Sequence, residues 1–190
     1  DMDFDKTEQR TKLFFDSYAQ EFSAIYGNTN NIFNRIINNV FRKSMAIRFT
    51  KTLEACTPIN DKAVIDVGCG PGHYGVILAQ NGARLVEGVD FADGMISLAS
   101  QNAADANMSH KCSFVQADVV DYQPTETFDF SLALGLFDYI DSGFELIERM
   151  ISYTSEKAIM SFPVAGGLLA WQRELRYRSR CPLYFYSKDQ

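Results

Sequence analysis

Residues 64–75 read VIDVGCGPGHYG, from Val64 to Gly75, and this stretch carries two overlapping glycine patterns. Gly70-Pro71-Gly72-His73-Tyr74-Gly75 satisfies G-x-G-x-x-G, a dinucleotide signature. Asp66-Val67-Gly68-Cys69-Gly70-Pro71-Gly72 satisfies D-x-G-x-G-x-G. The apolar run Ala63–Val67 before the glycines predicts a buried strand. His73–Asn81 after them predicts a helix, with Gly82 as its stop. A glycine-rich turn between strand and helix lets the backbone approach a ligand and aims the helix N-terminus at it. Phosphates at such a turn want donors and no nearby carboxylate. Asp66 at the strand end suits a cationic ligand group instead.

Working outward, the same texture repeats. Arg84–Val89, Cys112–Ala117, Phe128–Leu134 and Ala158–Phe162 read as strands, and Asp93–Ala106 and Phe144–Tyr153 as helices. Near-continuous apolar strands alternating with helices predict an α/β fold, with a parallel sheet covered on both faces. Upstream, Thr7–Tyr26 carries an aromatic stripe through Phe14, Phe15, Tyr18, Phe22 and Tyr26. A second amphipathic helix, through Ile32, Ile36, Val40, Phe49 and Leu53, is ended by Pro58. Downstream, Trp171–Arg178 has helical character and Pro182–Tyr186 is extended. Ser187-Lys188-Asp189-Gln190 looks like a helix N-cap with nothing after it.

Composition narrows the partners. The chain has 190 residues, 46% hydrophobic and 22% charged, which suits a globular protein. A net charge of −6 is no footprint for nucleic acid or an anionic membrane, so small molecules are the expected partners. Cys56, Cys69, Cys112 and Cys181 form no C-x-x-C pair and no zinc pattern, so free buried thiols and no metal are expected. The absence of a leader pattern or spanning apolar run leads to an expected cytoplasmic location. The chain begins at Asp1 without Met, so a trimmed N-terminus is expected.

Acids close three successive predicted strands: Asp66, Asp90 and Asp118. Asp90 lies 20 residues past Gly70, where a carboxylate accepts ribose hydroxyls in either glycine register. Phe91 and Met95 follow it and suit an adenine face. One ligand answers all three acids, through an ammonium, a ribose and an adenine amine: S-adenosylmethionine, which carries an ammonium and a sulfonium and no phosphate.

The motifs themselves now resemble a family. Residues 62–163 resemble the core of class I S-adenosylmethionine-dependent methyltransferases. VIDVGCGPGHYG is similar to that family's first motif, VEGVDFADGMISLA to its second, FVQADVVDY to its third and FDFSLALGLFDYI to its fourth. The resemblance implies a Rossmann-like doubly wound sheet flanked by helices. It implies S-adenosylmethionine as cofactor and S-adenosylhomocysteine as product. It implies cofactor roles for Asp66, Gly68, Gly70, Asp90, Phe91, Met95, Ala117, Asp118, Val119 and Leu134. It also implies that residues 1–60 form a helical lid, with Tyr18 lining the site, over a core at 61–190. The family's proline-glycine-glycine turn before the fifth strand is replaced by Thr154-Ser155-Glu156-Lys157. Its sixth and seventh strands have no place here, so a core truncated at its C-terminus is expected.

Methyl transfer is an in-line displacement in which the protein supplies alignment and excludes water. A base is needed only when the acceptor must lose its proton early. Asp138, Tyr139 and His73 are the candidates, Asp138 and Tyr139 because they follow the fourth strand, where an acceptor approaches. The bland reading of Asp138 is a helix-start acid. Leu134–Tyr139 lacks the (Asn/Asp)-Pro-Pro-Tyr arrangement of enzymes that methylate base or glutamine nitrogens, which argues against those substrates; a small-molecule oxygen is the expected acceptor. Arg173, Arg176 and Arg180 share a helical face, suited to a substrate anion or simply solvated. Two other readings stand beside this one. The first is an NAD-dependent oxidoreductase using Gly70, Gly72 and Gly75. The second is a non-catalytic module that binds S-adenosylmethionine.

Overall fold

The computed structural model describes residues 47–141 and 143–162. The lid helices up to residue 46, Tyr18, the arginines of the tail, Cys181 and the tail elements lie outside the described residues. Residues 47–55 are helical (α1). The order after it is β1 (Ala63–Val67), α2 (His73–Gln80), β2 (Leu85–Asp90), α3 (Asp93–Asp105), β3 (Cys112–Gln116), β4 (Phe128–Leu134), α4 (Gly143–Ser152) and β5 (Thr154–Ser161).

The five strands form one sheet in the order β3-β2-β1-β4-β5, and every pairing is parallel. All five residues of β1 are buried, as a central strand covered on both faces requires. Its alternation sorts the core into two layers. Val64 joins Val76, Leu78, Ala79, Val86, Ala103, Phe130 and Leu132 on the face of α2 and α3. Ala63, Ile65 and Val67 join Val89, Phe128, Ala133, Phe137, Leu146 and Met150 on the face of α4. The sheet is therefore doubly wound, as expected.

Gly75 sits within α2, where an added Cβ would lie 2.8 Å from Val86 Cγ1. Its smallness lets the helix lie close to β2, so it serves packing. Three of the four cysteines, Cys56, Cys69 and Cys112, are buried free thiols. No helix among the described residues is long and apolar enough to cross a membrane.

Two expectations change. β5 begins at Thr154, so Thr154-Ser155-Glu156-Lys157 is strand and not a turn. The sequence signal fails there because β5 is an edge strand among the described residues, and its residues 155–158 are exposed and need not be apolar. A bulge between Phe128 and Phe130 absorbs the change of register. Asp138 is not a helix-start acid: it lies in the turn after β4, and α4 starts only at Gly143.

Candidate cofactor site

The carboxyl ends of β1, β2 and β3 are laced together by hydrogen bonds. Gly68 N and Cys69 N donate to Val89 O at 2.8 and 3.0 Å. Gly70 N donates to Asp90 Oδ2 at 2.9 Å, and Ala92 N to Asp90 Oδ1 at 3.0 Å. Ala117 N donates to Asp90 O at 3.0 Å, and Gln116 Nε2 to Phe91 O at 3.2 Å. Asp90 thus folds the glycine loop over the strand ends. A carboxylate is the kind of acceptor a ribose hydroxyl uses.

The glycine loop closes with Gly72 N donating to Cys69 O at 3.0 Å. Gly72 is the N-cap of α2 at φ 72°, and no side chain caps the helix. A Cβ on Gly72 would lie 2.9 Å from both Ala99 Cβ and the Phe114 ring. Gly70, at φ +51°, differs: a Cβ there meets nothing within 4 Å. Gly72 is small because the interior requires it. Gly70 is small where the loop faces open space, which leaves room for a ligand.

Asp66 is buried at 2% exposure. Its Oδ2 is buried with no hydrogen-bond partner among the described residues. Burial, with the nearby Asp90 charge second, pushes its carboxyl up to about 7 from the ordinary 3.8. An isolated buried carboxylate is costly unless a positive group or a proton answers it. Asp118 is half-buried and accepts from Val120 N at 2.8 Å through Oδ1, an Asx-type turn.

The other residues expected in the site divide by burial. Phe91, Ala117 and Leu134 are half-buried, Val119 is 8% exposed and Met95 is 2% exposed, packed into the interior. His73 opens α2 and is exposed, with partial desolvation lowering its pKa. Asp138 is buried at 9% exposure and Tyr139 half-buried in the turn after β4.

Sequence reasoning missed the supports. Asn102 Nδ2, from α3, donates to Pro71 O at 2.9 Å and braces the glycine loop. Tyr122 braces the loop after β3, with its N–H on Asp118 O at 2.9 Å and its hydroxyl on Glu87 at 2.8 Å. An amide on an otherwise small and apolar helix face was the available signal for Asn102. Tyr122 gave none, because its partner Glu87 lies 35 residues earlier.

A family model described as a methyltransferase domain matches residues 64–156, from β1 to the start of β5 with the loops just described. Residues 64–156 are a methyltransferase domain, of the class I S-adenosylmethionine-dependent kind. Among curated members, trans-aconitate 2-methyltransferase of Escherichia coli O139:H28 is 27% identical over 135 residues, covering 65% of this chain. The chain spans about half, 51%, of that methyltransferase's length.

Among solved structures, the magnesium protoporphyrin IX methyltransferase of Synechocystis PCC 6803 with bound S-adenosylhomocysteine superposes with a TM-score of 0.76 at 21% identity. The match covers 96% of this chain and 84% of that one. The [4+2]-cyclase SpnF shares the fold at a TM-score of 0.58 and 17% identity, over 78% of this chain and 57% of its own. The fold is therefore shared by proteins named for different chemistry.

Proposed function

We propose that this chain binds S-adenosylmethionine at the carboxyl ends of β1, β2 and β3 and transfers its methyl group to an oxygen of a small molecule. The observation that carries the reading is Asp66: a buried carboxyl with an orphaned oxygen, at the strand end leading into a loop that opens at Gly70. An ammonium group satisfies such an oxygen and a phosphate does not. That argues for the D-x-G-x-G-x-G register and against the dinucleotide register through Gly75, which the packing of α2 on Val86 already explains.

The residues fit the cofactor. Asp66 would take the ammonium, Asp90 the ribose hydroxyls, Asp118 the adenine amine, and Phe91 and Leu134 the apolar surfaces. When bound, S-adenosylmethionine supplies an electrophilic methyl group. This chain's residues hold the two partners in line and keep water out. Gly68, Gly70 and the uncapped start of α2 form the floor. Asp138 and Tyr139, after β4, flank the acceptor's approach, with His73 as the alternative base.

The aconitate named for the relative from Escherichia coli is a carboxylic acid, which supports an oxygen acceptor here. A helical lid over residues 1–60 and a cytoplasmic location belong to the same proposal. The cyclase on this fold keeps a second reading in view, a domain that binds the cofactor without methyl transfer.

Incubation with methyl-labelled S-adenosylmethionine and a panel of carboxylic, phenolic and amine acceptors tests the proposal. Label should appear in an oxygen-linked product. Calorimetric binding of S-adenosylhomocysteine with no product across the panel would support the second reading. Tight NAD binding with no heat from S-adenosylmethionine would defeat both.

A further inference from the structure

The turn after β4 is anchored from β5, a strand the glycine motifs do not touch. The last register pair of the two strands is Leu134 with Ser161. The next backbone donor, Gly135 N, goes to a side chain: Ser161 Oγ at 2.8 Å. Gly135 then turns the chain at φ +75°, a conformation glycine adopts without steric cost. Tyr139 N donates to Leu136 O at 2.9 Å and closes the turn. The Phe137 and Phe162 rings pack with centroids 4.5 Å apart, a second tie between this turn and the end of β5.

Leu136 carries the anchorage on to the glycine loop. Gly68, two residues past Asp66, leaves β1 at φ +71°. A Cβ on Gly68 would lie 2.7 Å from Leu136 Cδ1 and 3.1 Å from Cδ2. The isobutyl group therefore takes the place of a Gly68 side chain. Leu136 is half-buried, so part of it rests on Gly68 and the rest is open. β1 and β4 are neighbours, and the chain leaves them in opposite directions, toward β2 and β3 and toward β5. The crevice between their carboxyl ends is the topological switch point, where open α/β sheets bind ligands. A path of direct contacts thus runs across three strands, from Ser161 through Gly135 and Leu136 to Gly68.

We propose that Ser161 is a positioning residue for the cofactor's amino-acid end. The proposal rests on the reading of this end of the sheet as the S-adenosylmethionine site. Ser161 touches no cofactor atom and acts through Leu136, whose open side forms an apolar wall for the methylene chain of the amino acid. Without the hydroxyl, Gly135 N loses its acceptor and the turn relaxes away from Gly68. The nucleoside side, at Asp90 and Asp118, is untouched by that change.

Calorimetry on the 190-residue chain tests this with the wild type, S161A, S161T, L136A and the double variant S161A/L136A. The probes are S-adenosylhomocysteine and 5′-methylthioadenosine. Methylthioadenosine keeps the nucleoside and lacks the amino acid, so it reports whether the pocket is intact.

S161A should weaken S-adenosylhomocysteine by about three- to tenfold, the loss of one hydrogen bond, while methylthioadenosine is unchanged. S161T keeps the hydroxyl and should restore binding. L136A should show the same selective loss. The double variant should bind no more weakly than L136A alone, because the two residues act in series. S161C keeps the volume with a poor acceptor and gives the same reading if S161A does not fold. Unchanged S-adenosylhomocysteine binding in the Ser161 variants overturns the proposal. So does an equal loss of methylthioadenosine, or losses that add in the double variant. Failure of the wild type to bind either nucleoside removes the underlying site reading and the proposal with it.

Discussion

At the scale of one residue, Asp66 couples folding to pH. Its carboxyl titrates at about 7 in the folded protein against an ordinary 3.8. The folded chain therefore holds a proton that the unfolded chain has released between roughly pH 4 and pH 7. Stability falls as pH rises through that window and levels off above about 7. Asp66→Asn removes the titration. The difference in Tm between the variant and the wild type should grow from pH 5 to pH 8, reflecting on the order of 2–4 kcal/mol of relieved burial cost. A difference independent of pH would contradict the isolated carboxyl.

The same group should tie cofactor binding to protons. An ammonium favours the ionised carboxylate, so S-adenosylhomocysteine should bind more tightly from pH 5.5 to pH 7 and release a proton as it does. Calorimetry in buffers of different ionisation enthalpy reads that proton directly. In Asp66→Asn the proton release should vanish and the affinity should drop about tenfold or more.

At the scale of one element, the glycine loop should separate folding from binding within three residues. Gly72→Ala places a Cβ 2.9 Å from Ala99 and Phe114 at φ +72°. It should cost about 1–3 kcal/mol in urea unfolding. Gly70→Ala meets open space. It should cost at most about 1–2 kcal/mol, the left-handed penalty alone, while strongly weakening S-adenosylhomocysteine. Asp90→Ala should weaken the cofactor by about 1–3 kcal/mol through lost ribose hydrogen bonds, and it also frees the loop at Gly70 N. Equal effects of Gly70→Ala and Gly72→Ala on stability would refute the distinction between the two glycines.

The strands that face apolar neighbours on both sides were legible in sequence. β1 and β4 have the bounds their apolar runs predict, because a central strand has no solvent side on which to place polar residues. The start of β5 was not legible, because an exposed edge strand imposes no such pattern on Ser155, Glu156 and Lys157. In the candidate site, Asp66, Asp90 and Asp118 were legible because each lies at or beside the carboxyl end of a strand-like run. Asn102 and Tyr122 were not, because their partners lie 31 and 35 residues away in sequence.

At the scale of the whole molecule, the two ends of the sheet do different work. The carboxyl end carries the loops and the buried acids. The amino end carries a polar clasp: Asp129 accepts from Ala63 N at 2.8 Å through Oδ2, and Lys62 pairs with Asp129 at 3.4 Å and with Glu156. Asp129→Ala leaves the Ala63 N–H, on a residue 1% exposed, without its acceptor. It should cost about 1–3 kcal/mol of stability and leave S-adenosylhomocysteine affinity unchanged. A loss of affinity in that variant would show that the two ends are coupled.

The sequence by itself determined the strand–helix alternation, the glycine turn with its preceding acid, and the acids that close the next two strands. These are local facts, written by side-chain period and by the backbone freedom of glycine. The tertiary structure decided which strands are neighbours. That order places β1 beside β4 and leaves Asp66 with an unanswered oxygen. Burial and long-range contact are properties of the packed sheet, and no window of sequence contains them.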